Sequence, residues 1–155
     1  EEEVITTMTL TLTKADGSSK VFSFQDLDGE GGNEPVITTE PLEANTEYSV
    51  QIELLNETET PSENITEEIE EEDDEHQFFY QVDIVNMNVF YEDMDDDGNP
   101  IGLSTTFRTI SAGTGTLTVI LRHEPDKFAE GVADGLIANA GGETDIEVEF
   151  DLVIE

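Results

Sequence analysis

The run Thr144-Asp145-Ile146-Glu147-Val148-Glu149-Phe150-Asp151-Leu152-Val153-Ile154 decides the fold class. Apolar residues and acids alternate along it, and a period of two is the side-chain repeat of a strand with one wet face. Ile146, Val148, Phe150, Leu152 and Ile154 are therefore assigned to a core, and Asp145, Glu147, Glu149 and Asp151 to water. Working back along the chain, Gly113–His123 repeats the pattern, with Leu117, Val119, Leu121 and His123 in one phase. In the stretch Gln77–Val85, Phe78, Tyr80 and Val82 share a face, Phe79 covers the other side, and His76 just ahead keeps the phase of Phe78. Leu103–Ile110 and Asn88–Tyr91 are shorter strand segments, and Glu47–Leu55 is a strong one, with Tyr48, Val50, Ile52 and Leu54 inward. Near the start, Thr6–Thr13 sets Met8, Leu10 and Leu12 against a row of threonines. An Asp16-Gly17 turn then leads into Val21–Leu27, which carries Phe22 and Phe24, and Val36–Thr39 is a short edge strand.

With the shortest segments left open between strand and edge, these amount to seven or eight strands separated by regular turn signals. That is the pattern of an all-β, immunoglobulin-like or fibronectin-type β-sandwich. It is read as one domain over residues 1–155, with Glu1–Glu3 as a tether stub. One short acidic helix is expected. Asn64 suits its N-cap with Glu67 three residues on, and Ile65 and Ile69 at i, i+4 would dock it. Its acidic second half, running to Glu75, opposes the helix dipole and keeps it short. Residues 124–142 read as loop, with Phe128, Val132 and Leu136 marking a short helix or excursion.

Composition narrows the function. Asp plus Glu number 39 against 5 Lys plus Arg, for a formal net charge of -34 across 155 residues. Phosphate contacts need clusters of basic residues, so nucleic acid and anionic lipid are unsuitable partners. Without Cys there is no disulfide, thiolate metal site or Cys nucleophile. Nor is there a nucleophile elbow, a phosphate loop or an H-E-x-x-H motif. Without Trp, sugar stacking would fall to Tyr80 and Tyr91. A chain this acidic suits a salty or calcium-containing exterior, where counter-ions relieve its self-repulsion.

Two acidic loops have the spacing of calcium ligands. Asp93, Asp95, Asp97 and Asn99 with Gly98 match the opening half of a calcium loop, in which carboxylates two apart converge on a hard cation. Pro100 then interrupts, and Ser104 stands where a bidentate Glu belongs, so a full EF-hand is excluded. Asp26, Asp28 and Glu30 on a glycine-rich turn form a second oxygen-ligand set for Ca2+. The alternative is a transition-metal or haem-related site. His76 and His123 share phase with core residues on strands that could be neighbours, and with Glu124 beside them they could bind Zn2+ or another transition metal. The bland counterpart is a pair of rim histidines bonded to acidic neighbours. A third class, a hydrolase using a carboxylate pair, predicts carboxylates gathered in a concavity with a raised pKa. Among the five cations, Arg122 is the one expected to sit partly buried against a carboxylate.

Several strings resemble small secreted lipoproteins of Bacteroidota: ITEEIEEEDDEHQFFY at Ile65–Tyr80, GLSTTF at Gly102–Phe107, LRHEPDK at Leu121–Lys127 and GETDI at Gly142–Ile146. The resemblance spans most of the chain and brings no catalytic role with it. It implies a signal peptide and a lipid-bearing Cys upstream of Glu1, hence a secreted, outer-membrane or cell-surface setting with a protein partner there. A chain that opens on Glu rather than Met fits a trimmed product. The combined expectation is a non-enzymatic structural or interaction domain, with Ca2+ in its acidic loops.

Overall fold

The computed structural model describes residues 4–27, 32 and 34–155. Ten strands are present among the described residues: β1 Thr7–Thr13, β2 Ser19–Gln25, β3 Val36–Thr38, β4 Glu47–Asn56, β5 Glu63–Asn64, β6 His76–Asp83, β7 Met87–Tyr91, β8 Ser104–Thr109, β9 Gly113–His123 and β10 Glu143–Ile154. An α-helix, α1, spans Ile65–Glu71. The strands form two antiparallel sheets. One has seven strands in the order β3-β2-β1-β4-β8-β7, with β5 pairing β4; the other is β10-β9-β6.

This is the layering of a β-sandwich, but a lopsided one. An immunoglobulin constant-type domain divides its strands almost evenly between its sheets. Here the larger sheet gains short strands at its margins, such as the two-residue β5 and the three-residue β3. β3 falls within the edge strand expected at Val36–Thr39, whereas the two-residue β5 is too short to carry a readable period.

The alternating phases meet in the interior. Met8, Leu10, Leu12, Phe22, Tyr48, Val50, Ile52, Leu54 and Phe107 on the large sheet face Phe78, Leu117, Val119, Leu121, Val148, Phe150 and Leu152 on the small one. Ring contacts span the sheets, at 5.7 Å between Phe22 and Phe150 and 5.8 Å between Tyr80 and Phe107. Each fully buried side chain of this size stabilises the fold by roughly 1.5–3 kcal/mol.

Helix α1 starts where the sequence places it, with the Asn64 side chain accepting from the Glu67 N–H. It docks through the buried Ile65 and Ile69 and ends at Glu71; a 3-10 turn over Asp73–Glu75 then leads into β6. Against this acidic stretch the last-turn carbonyls have no cation, which limits the helix to seven residues.

The 124–142 segment folds over the outer face of the small sheet. Val132 and Ala140 pack there on Phe79 and Ile120 as a second, small core. Gln77 Nε2 donates to the Val132 carbonyl at 2.8 Å. The helix marked by Phe128, Val132 and Leu136 does not form. Gly131 and Gly135 take φ of 83° and 91°, which limits the segment to 3-10 turns at Val132–Asp134 and Ile137–Asn139. Phe128 and Leu136 are consequently 76% and 62% exposed. Among the described residues, no helix is long and apolar enough to cross a membrane.

Candidate metal centre

Antiparallel pairing of β6 with β9 sets His76 directly opposite His123. Both keep the phase of the core residues Phe78 and Leu121, so both rings lie on the inner face of the small sheet. The rings are 4.7 Å apart and tilted by 37°. That juxtaposition is the one the sequence anticipates. Glu124, proposed there as the carboxylate ligand, holds a different place. Its side chain is 71% exposed, with Oε1 3.8 Å from His123 Nε2.

The carboxylate that joins the histidines is Asp145. Strict alternation would turn it outward with Glu147, Glu149 and Asp151, but the register of β10 slips before that alternation begins. Glu143 faces His123, Thr144 faces Arg122 and Ile146 faces Leu121, which leaves Asp145 as an extra residue without a partner. A β-bulge of this kind re-aims its side chain. Asp145 points into the sandwich, its side chain 0% exposed. One trace exists in the sequence: the inward apolar phase stops at Ile146, because the next inward position holds Thr144. Just before the strand, Gly142 has φ of +76°, and a Cβ there would meet the His123 carbonyl at 2.5 Å. Only glycine fits this crossing.

Asp145 Oδ2 is 3.5 Å from His76 Nε2 and 3.8 Å from His123 Nδ1. Hydrogen bonds from nitrogen usually run about 2.7–3.2 Å, so these contacts are long and at best weak ones. They are close to the spacing of atoms sharing a metal: ligands about 2.0–2.1 Å from a tetrahedral zinc lie roughly 3.3–3.4 Å from each other. Among the described residues, His76, His123 and Asp145 bring their ligand atoms within 4.8 Å of one another. His76 Nε2 and both Asp145 oxygens are buried with no hydrogen-bond partner among those residues. Such orphans are costly in an interior.

The far ring nitrogen of His76 is oriented by an oxygen. His76 Nδ1 lies 3.1 Å from the Glu72 carbonyl. A carbonyl only accepts, so Nδ1 carries the proton, and Nε2 faces Asp145 either as a lone pair or as a second N–H. His123 has the Glu124 carboxylate near its Nε2, away from Asp145. Burial pushes His76 toward its neutral form, but the Asp145 carboxylate and the Glu72 carbonyl outweigh it, so the pKa lies above the usual imidazole value. A proton or a metal cation would neutralise the same buried carboxylate. The 4.7 Å between the ring centroids leaves no room for a porphyrin between the histidines.

A cleft of about 520 Å³ opens beside the triad. His123 lines it together with Glu59, Glu63, Glu68, Glu72, Glu75 and Glu124. Glu63 is raised above the usual carboxylate range by its hydrogen bond to Glu68 and by that neighbour's charge. This concave gathering of acids has the raised pKa that a hydrolase would show. Hydrogen-bonded carboxylates, however, are closer together than the roughly 5–5.5 Å or more that glycosidase pairs keep.

The acidic loops answer differently. Asp93 accepts from four backbone amides, among them Gly102 at 2.8 Å and Leu103 at 2.9 Å. Asp95 Oδ1 accepts from the amides of Asp97 and Asn99, and its Oδ2 from Lys127 Nζ at 2.9 Å. That ammonium also donates to the carbonyls of Asp73 and Pro100 at 2.7 and 3.0 Å. Lys127 is thus the cation that Asp95 and its neighbouring carbonyls surround, while Asp97 stays exposed and Asn99 half-buried. In the second loop, the Asp26 amide bonds the Thr6 carbonyl, and Asp28 and Glu30 lie outside the described residues. Arg122, expected against a carboxylate, donates instead to the Gly141 carbonyl at 2.9 Å.

Comparison with family models, curated proteins and solved structures gives no match for this chain.

Proposed function

We propose that this domain binds a divalent transition-metal ion through His76 Nε2, His123 Nδ1 and the Asp145 carboxylate. The observation that carries the reading is the convergence of three ligand groups 3.5 and 3.8 Å apart, two of which, His76 Nε2 and the Asp145 carboxylate, are buried without a hydrogen-bond partner among the described residues, while the far nitrogen of His76 faces the Glu72 carbonyl. That outer arrangement is how metal-binding histidines are normally oriented. Two imidazoles and a carboxylate suit Zn2+ first, with Cu2+, Ni2+ and Fe2+ as competitors for the same donors. Three protein ligands leave a position for water or a further ligand, unlike a closed four-ligand structural site.

The test starts from untagged protein purified without chelators. Elemental analysis should find close to one equivalent of a transition metal. Titrating Zn2+ into metal-stripped protein should give a single binding event that disappears in H76A/H123A and weakens roughly 100-fold or more in D145A. Heat of binding unchanged in those variants, or no metal in either experiment, would remove the reading. Ca2+ belongs in the same titration, as the control for the acidic loops.

We place the domain at the cell exterior, the setting that its resemblance to secreted lipoproteins implies and its charge suits. Proteolytic shaving of intact cells expressing the full-length gene product tests this. Persistence of the domain until lysis would count against it.

A further inference from the structure

His123 belongs to two places at once. It faces Asp145 in the buried triad and also lines the glutamate cleft. The other two ligand side chains are 0% exposed, whereas that of His123 is 14% exposed. Of the three ligands it is therefore the one a cation from solvent reaches first. Six glutamates line the approach to it. Carboxylates around a low-dielectric concavity focus the field and raise the local concentration of cations. Glu63 and Glu68 stand close enough to repel one another, and an arriving cation relieves that repulsion.

Resting on the metal reading above, we propose that this cleft is the capture vestibule of the centre. It steers a hydrated divalent cation electrostatically to His123, which hands it inward to His76 and Asp145. The vestibule governs how fast the ion arrives, and the triad governs how long it stays. The ligand class follows: small cations enter, and anionic chelates are turned away.

Stopped-flow uptake of Co2+ by metal-stripped protein, followed by visible absorbance, separates the two roles. In E59Q/E63Q/E75Q the triad is intact, so the association rate at low ionic strength should fall about tenfold or more while the dissociation rate holds. Added NaCl should slow the wild type more than the variant. A control removes as many exposed charges from the small sheet outside the cleft, as D83N/E149Q/D151N, and should keep near wild-type association. The single variants E59Q and E63Q should show the same direction if the triple variant folds poorly. Equal slowing in the cleft variant and the control, or no slowing in either, overturns the vestibule and leaves the metal site standing. No Co2+ uptake by the wild type overturns both.

Discussion

Lys127 shows what one side chain does in so acidic a chain. Its ammonium and the Asp95 carboxylate are 3% and 1% exposed, and three oxygens surround the nitrogen. Removing one partner of a buried pair leaves the other charged in a dry site, so Lys127→Met should cost about 3–5 kcal/mol in urea denaturation. Replacing Asp95 as well, by a residue of similar volume such as Leu, should recover part of that loss. The pair also has a pH signature. Burial opposes ionisation of Asp95, but Lys127 and the amides of Asn99 and Asp97 outweigh it and hold its pKa below the usual value. A depressed carboxylate stabilises the fold above its unfolded pKa of about 3.9, and that contribution is lost as pH falls through the lower folded value. Below about pH 4, D95N should show a shallower loss of stability than the wild type, read from denaturation midpoints. None of this seat was legible in the sequence. Its acceptors come from Asp73, Asp95 and Pro100, distant in sequence from Lys127, and only the folded 124–142 excursion brings them together.

Among the elements, the long strands read themselves. β1, β4, β9 and β10 carry their phases in plain alternation, and the meeting of His76 with His123 follows once β6 and β9 are paired. The third member of the cluster was hidden, since a bulge is a property of two strands in register. β10 alone shows Asp145 in the company of Glu147 and Glu149, and only its slip against Arg122 and Leu121 turns it inward. The glycine at the turn holds that slip in place. Gly142→Ala would press a methyl toward the His123 carbonyl in a left-handed conformation. It should cost about 1–3 kcal/mol. Zn2+ affinity should fall with it, since the His123–Asp145 distance is set there. Thermal melting with and without Zn2+ measures both effects, and unchanged affinity in G142A would detach the turn from the centre.

At the scale of the whole molecule, a net charge of -34 works against compactness. Salt should therefore raise the melting temperature, a simple scan with NaCl being the check. Lowering the pH should act in the same direction at first. Glu63, held above its usual range by Glu68, binds its proton more tightly folded than unfolded. Its stabilising contribution is present below the unfolded value of about 4.3 and is lost as pH rises through the higher folded one. Stability should rise as the pH is lowered from neutral toward this range, then fall below about pH 4 as the Asp95 carboxylate takes up a proton and its ion pair with Lys127 is lost. A melting curve that declines steadily from pH 7 downward would contradict this balance. The centre itself hangs on an odd number. With one residue fewer at the head of the last strand, Asp145 would return to the solvent row, and the sandwich would keep its core, its crossing order and its two facing imidazoles. Loss of a single codon there is thus expected to take the carboxylate away from the two imidazoles, and with it the proposed centre, while the core stays.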